Sequence, residues 1–197
     1  MKSGKDTFSQ ILIDVLKEQD VTVVRRGFAD KLKLSAYRLI SPDATIEEAL
    51  EWADEFKHFG FTDFNWDAGS GVSMHGRQFL QRYGTESHRD VFGDRFWIDA
   101  LLPLGGNFSP DEPPDWEHSF YPADIAVVSD VRFDNEAQRI RDLDGIVARI
   151  DRKQLDGGSD THVSEQPVEA DVVIDNNGSL DDLRDRAVEL FRDNLVV

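Results

Sequence analysis

Between Thr7 and Gln19 the apolar residues Phe8, Ile11, Leu12, Val15 and Leu16 recur at i, i+3, i+4, i+7 and i+8. That spacing predicts a helix with one buried stripe. "VTVVRRGF" (21–28) is β-rich and reads as a strand. "ADKLKLSAYRLI" (29–40) resumes helical spacing until Pro42 stops it. "TIEEALEWADEF" (45–56) predicts a second amphipathic helix, with Ile46, Leu50, Trp52 and Ala53 inward. Residues 57–75 hold Gly, Asp and aromatics without a period and read as an irregular loop. "GRQFLQRY" (76–83) and "HRDVFGDRFWIDALL" (88–102) read as two further helices. "PLGGNFSPDEPPDWEHSFYP" (103–122) has the Pro/Gly density of a long loop.

After residue 122 the pattern changes. "DIAVVSD" (124–130) is a continuous apolar run ending in Ser-Asp, as expected of a parallel strand buried on both faces. "NEAQRIRDLDG" (135–145) predicts a helix ended by Gly145, and "IVARID" (146–151) a second such strand. "ADVVID" (170–175) is a third, and "SLDDLRDRAVELFRDNL" (179–195) a closing amphipathic helix. Ser179 with Asp182 three residues on approximates a capping box. Strands alternating with helices predict an α/β fold, a three-layer parallel sheet with helices on both faces. Such sheets bind ligands beyond the carboxyl ends of their strands, so chemistry is expected just after residues 28, 130, 151 and 175.

Composition narrows this only in part. At 197 residues the chain fits a single domain able to bury a core, with a helical insertion at about 42–122. No apolar run approaches the ~18 residues of a membrane span, and no signal-type stretch opens the chain. With no cysteine there is no disulfide or thiolate chemistry, and a cytoplasmic protein is the simplest expectation. The formal net charge is −17, with 27 Asp among the 39 acidic residues, which disfavours nucleic-acid binding. Basic residues cluster nonetheless: Arg77, Arg82, Arg89 and Arg95 in one stretch, and Arg132, Arg139, Arg141, Arg149, Arg152 and Lys153 in another.

Four stretches could carry chemistry. "SGKDT", running straight into the first helix, looks like the second half of a phosphate-binding loop of the form G-x-x-x-x-G-K-[ST]. Its backbone N–H groups and positive helix end would attract phosphate, with Lys5 reaching the outer phosphates. Asp6 stands where a hydroxyl usually ligates Mg²⁺. In "VVSDVRFDNEAQRI", Asp130 ends an apolar strand as an Mg²⁺-shell carboxylate does, with Arg132 and Glu136 close behind; the alternative, a helix-capping Asp, suits Asp134 better. In "GRQFLQRYGTESHR", Arg77 and Arg89 could fork onto phosphate, while Gln81, Thr85 and Glu86 could read a base. A solvated Arg/Glu helix face explains the same residues. His162 in "DTHVSEQP" is an exposed-loop histidine on the simplest reading, and Asn176, Asn177 and Gly178 form a turn that exposes backbone groups.

Taken together, "SGKDT", "FADKLK", "GRQFLQRYGTESHR…FGDRFWIDAL", "AVVSDVRFDNEAQRI", "THVSEQ" and "ADVVIDNNGSLDDL" resemble the deoxynucleoside monophosphate kinases of tailed phages. The resemblance implies a P-loop nucleoside-monophosphate-kinase fold, ATP and Mg²⁺ as donor, and a deoxynucleotide acceptor for phage DNA-precursor synthesis in the host cytoplasm. It implies Ser3, Gly4, Lys5, Asp6 and Thr7 in the ATP phosphate loop, with Asn177 and Gly178 near the adenine. Lys31, Arg77, Gln81, Thr85, Glu86 and Arg89 would line the acceptor site. Asp130, Arg132 and Glu136 would surround the transferred phosphate, Asp6 and Asp130 serving the metal. Small-molecule nucleotides are the implied partners, with a homodimer as a further candidate assembly.

One departure stands out. The loop's first glycine and the family's first strand would precede Met1, and that strand normally lies mid-sheet. Without it, two neighbouring strands keep unpaired ladder groups, at roughly 1–3 kcal/mol per buried group. The expectation is a start ~8–12 residues further upstream, with the 197-residue form poorly active. A dephospho-coenzyme-A-kinase-like enzyme and a non-catalytic nucleotide-binding protein remain the alternatives.

Overall fold

A left-handed residue, Gly4 (φ 91°, ψ 13°), starts helix α1 (Lys5–Glu18), two residues ahead of the expected start at Thr7. The computed structural model describes residues 4–58, 74–102, 123–152 and 168–194. Ser3, the expected loop at 103–122, most of that at 57–75 and the His162 stretch lie outside them. The chain divides into two units, residues 1–26 with 120–197, and residues 27–119.

In the first unit, strand β1 (Val23–Arg26) pairs in parallel with β2 (Ile125–Val128), Val23 opposite Ile125 and Arg26 opposite Val128. Strand β3 (Ala148–Asp151) pairs in parallel with β4 (Val172–Asp175), Ala148 opposite Val172. Helix α7 (Asp134–Arg141) lies between β2 and β3 in sequence, and α8 (Leu180–Asn194) follows β4. One core joins the four strands to α1 and α8. Phe8, Leu12, Val15 and Leu16 of α1 meet Ile174 of β4 and Leu183, Ala187 and Leu190 of α8. Val23, Ile125, Val127, Ile150 and Val172 pack onto the same cluster, so every strand contributes to it. The expected cap of α8 is present. Asp182 Oδ2 accepts from the Ser179 amide at 2.7 Å, and Ser179 Oγ accepts from the Asp182 amide at 3.1 Å.

The parallel strands alternating with helices give the α/β class. Their burial departs from expectation. Val172 and Ile174 face the core while Val173 is 51% exposed, and Ile125 and Val127 face it while Ala126 is exposed. Among the described residues the ladders are two pairs, β1–β2 and β3–β4. The faces of a strand are buried by layers packed above and below the sheet; β2 and β4 rest one face on the helical core and leave Ala126 and Val173 exposed on the other. Gly145 also differs from expectation. The residue that turns left-handed after α7 is Asp144 (φ 58°). Gly145 is required for space, since a Cβ there would lie 2.6 Å from Ile140 Cγ2 and 2.9 Å from its carbonyl.

The second unit is helical where described: α2 (Asp30–Arg38), α3 (Ile46–Phe56), α4 (Gly76–Gly84), a π-turn (Thr85–Arg89), α5 (Asp90–Phe92) and α6 (Phe96–Leu101). Thr45 and Glu48 cap α3 reciprocally, at 2.9 and 3.3 Å. Ala36, Ala53, Phe56 and Leu80 form one small core, and Leu34, Ile46 and Ala49 another. The two helices expected at 76–83 and 88–102 are instead one run from Gly76 to Phe92, interrupted at Gly93 (φ 96°). Side chains take the carbonyls where the run widens. Trp97 Nε1 donates to the Gly84 carbonyl at 2.9 Å, and His88 Nδ1 lies 2.6 Å from that of Tyr83.

Asp171 ties β3 to β4 from outside the ladder. It accepts from the Val147 amide at 2.8 Å and from Arg141 Nε at 3.0 Å. The Val147 bond, then Arg141, holds its carboxyl below the ordinary value of 3.8. A depressed folded-state pKa stabilises above the unfolded value and loses that effect as pH falls through the folded one. Asp171→Ala is therefore expected to lower the urea midpoint at pH 7, with the gap to wild type closing as pH drops below 3.8. A gap independent of pH would contradict this.

Candidate active site

At the carboxyl end of β2, chain segments from both ends of the sequence meet. Lys5, the first residue of α1, donates from Nζ to the Ser129 carbonyl at 3.2 Å. Ser129 follows β2 directly and precedes Asp130, so Lys5 and Asp130 emerge at one strand tip. Lys5 Nζ also lies 3.4 Å from Asp6 Oδ1. Gly4 caps α1 in the left-handed conformation and, as glycine, offers the first-turn amides no side-chain acceptor. Thr7 is exposed in the same first turn.

The turn after β4 reaches this loop through Asn176. A Cβ on Gly4 would lie 2.2 Å from Asn176 Nδ2, so any side chain there would push the Asn176 amide aside. Asn177 turns the other way, donating from its amide to Asp175 Oδ1 at 2.9 Å and from its side chain to the same oxygen. Gly178 makes room for Asp182, whose Oδ2 would stand 2.5 Å from a Cβ there.

Glu136 is 2% exposed, and its Oε2 accepts from the amides of Arg132 at 2.8 Å and Phe133 at 3.2 Å. This return half of a capping box fixes the 130–133 segment and leaves the Arg132 side chain at the surface. Asp134 is the first residue of α7 rather than its cap.

In the second unit, Arg77, Gln81 and Thr85 are exposed at successive intervals of four along α4 and into the π-turn. Arg82 Nε donates to both oxygens of Glu86, at 2.9 and 2.8 Å, orienting that carboxylate. Gln78, Gln81, Arg82, Thr85 and Glu86 line a shallow depression. Arg89 is half-buried on the π-turn, and Lys31 half-buried on α2. The structure thus groups Gly4, Lys5, Asp6 and Thr7 with the tip bearing Asp130, and separately groups the residues of α4 and the π-turn.

Sequence reasoning missed two residues here. Arg82 appeared only as one of a basic cluster, although its i, i+4 spacing to Glu86 was a usable signal. Arg25 carries no signal in the sequence beyond its place in a strand. Its Nη2 lies 2.9 Å from Asp6 Oδ1 and 3.2 Å from Ser129 Oγ, with Nε 3.3 Å from that hydroxyl.

A cationic loop at a helix start beside an acidic strand tip is suited to holding phosphate. The family model for deoxynucleotide monophosphate kinase matches residues 47–187. A protein of Acanthamoeba polyphaga mimivirus, provisionally named a deoxynucleotide monophosphate kinase, is 31% identical over 192 residues, covering 91% of this chain and 86% of the relative. The chain belongs to the deoxynucleotide monophosphate kinase family and is a phosphotransferase enzyme. The matched span takes in α4, the π-turn, Asp130 and the turn after β4, while Gly4–Thr7 precede it. The relative is a mimivirus protein, so the viral resemblance stands more broadly than tailed phages.

Gly4→Ala is expected to lower stability by about 1–2 kcal/mol through its left-handed backbone, with a further steric penalty from Asn176. The steric part should be absent in an Asn176→Ala background. Urea denaturation of the two single variants and the double variant measures the coupling; strictly additive effects would refute the contact.

Proposed function

We propose that this enzyme transfers the γ-phosphate of ATP to a deoxynucleoside monophosphate, yielding ADP and a deoxynucleoside diphosphate for viral, in particular phage, DNA synthesis in the host cytoplasm. The observation that carries this reading is the Lys5 ammonium seated on the Ser129 carbonyl, at the tip that presents Asp130. That carbonyl is a weak partner for an ammonium, and a triphosphate oxygen is a better one. The finer architecture proposed is a P-loop kinase, three layers about a parallel sheet, formed by one domain with an acceptor-binding helical insertion.

Phosphoryl transfer asks little covalent work of a protein; it needs charge neutralisation, positioning and exclusion of water. Lys5 would neutralise the outer phosphates, and the amides of Gly4 to Thr7 would hold the others, with Ser3 in the same loop. Arg132, held at its amide by Glu136, would approach the transferred group. The turn at Asn177 and Gly178 would lie along the adenine. On the acceptor side, Lys31, Arg77 and Arg89 would hold the monophosphate, and Gln81, Thr85 and Glu86 would read the base.

Mg²⁺ fits the residues at the donor site. It is commonly held by one or two carboxylates together with phosphate oxygens and water, and Asp6 and Asp130 offer that number. Bound there, it would screen the negative charge that builds up on the phosphates.

A coupled ADP-release assay over the four deoxynucleoside monophosphates, the ribonucleotides and dephospho-coenzyme A tests the substrate class. At least one deoxynucleotide is expected to turn over fastest. Lys5→Ala should reduce turnover by ~10²–10³, the range for losing one preorganised donor. Preference for dephospho-coenzyme A, or unchanged turnover in Lys5→Ala, would defeat the reading.

A further inference from the structure

Lys5 Nζ and Arg25 Nη2 approach the same atom, Asp6 Oδ1, from α1 and from β1, at 3.4 and 2.9 Å. We propose that Arg25 is a second cationic ligand of the polyphosphate bound at Lys5, and that the Asp6 carboxylate holds the place of that anion until it arrives. The inference rests on the donor-site reading above and adds a residue to it.

Three features support it. The Arg25 guanidinium spans from the first turn of α1 to Ser129 at the β2 tip, so it stands across the mouth of the loop. Ser129 Oγ takes both Nε and Nη2, at 3.3 and 3.2 Å, which fixes one edge of the fork. The partner at Nη2 is replaceable. Asp6 is 66% exposed and Arg25 42%, and an ion pair so open to water is weak. A phosphate carries more charge, and its oxygens match the planar fork two at a time. Exchange of Asp6 for phosphate therefore gives up little and lets both cations grip one ligand. In a chain of net charge −17, a second cation at the loop also offsets the general repulsion of an anionic nucleotide.

The test is calorimetric titration of the full chain with inorganic tripolyphosphate in magnesium-free buffer, using variants with unchanged circular dichroism and melting. Arg25→Ala should weaken binding about 10- to 100-fold, as for loss of a hydrogen bond to a charged group. Arg25→Lys should recover part of that, keeping charge without the fork. Asp6→Asn should tighten binding by removing the competitor. The Arg25→Ala loss should persist in the Asp6→Asn background. If it vanishes there, Arg25 acts only on Asp6 and the proposal fails; wild-type affinity in Arg25→Ala overturns it equally. Should Lys5→Ala weaken binding while Arg25→Ala does not, this inference alone is lost. Should wild type fail to bind, or Lys5→Ala bind as wild type, the donor-site reading falls with it.

Discussion

Everything at the donor end depends on one act of burial, the apolar stripe of α1 closing over the two strand pairs. A two-stranded ladder is marginal by itself in water. Here Leu16 is fully buried, and Phe8, Leu12 and Val15 nearly so, against Ile174 and the inner face of α8. Because Ile125, Val127, Ile150 and Val172 rest on that cluster, each pair borrows its stability from the helices. The placement of Lys5 is a by-product of this. A helix locked along its length leaves its first residue little freedom, and that residue is held on the β2 tip.

The site is built from short-range ties on that rigid base. Glu136 fixes the amides of Arg132 and Phe133, and Asn176 abuts Gly4. None of these contacts is strong alone, but each constrains a segment that would otherwise wander, and preorganised groups are what phosphoryl transfer demands. In the helical unit Arg82 does the same for Glu86, gripping both carboxylate oxygens.

Much of this was legible in the sequence because it followed from periodicity. The stripe of α1, the cap at Ser179, and the order of strands and helices all obey local rules that leave a trace in spacing. What was not legible came from tertiary company. The run "AVV" looks buried on both faces, yet Ala126 is exposed, because which layers pack against a sheet is not written in the strand. Gly145 reads as the residue that ends the helix, but Ile140 demands its missing side chain and Asp144 makes the left-handed turn. Arg25 carried no motif, and its position is set by Asp6 and Ser129, 19 and 104 residues away. The loop motif at Gly4–Thr7 was visible from the first residues, whereas Asn176 as its neighbour required coordinates.

The widened turn at Thr85–Arg89 has a consequence for how this helix tolerates changes of length. Ordinary helix advances about 100° per residue, so a residue lost inside Gly76–Gly84 would rotate every residue before it by that angle relative to every residue after it. The wide turn already holds slack. Dropping one residue inside it would tighten the coil to regular pitch while the azimuth of everything on either side is kept. Natural shortening of this segment should therefore concentrate there, where one register step is absorbed without rotating a neighbour.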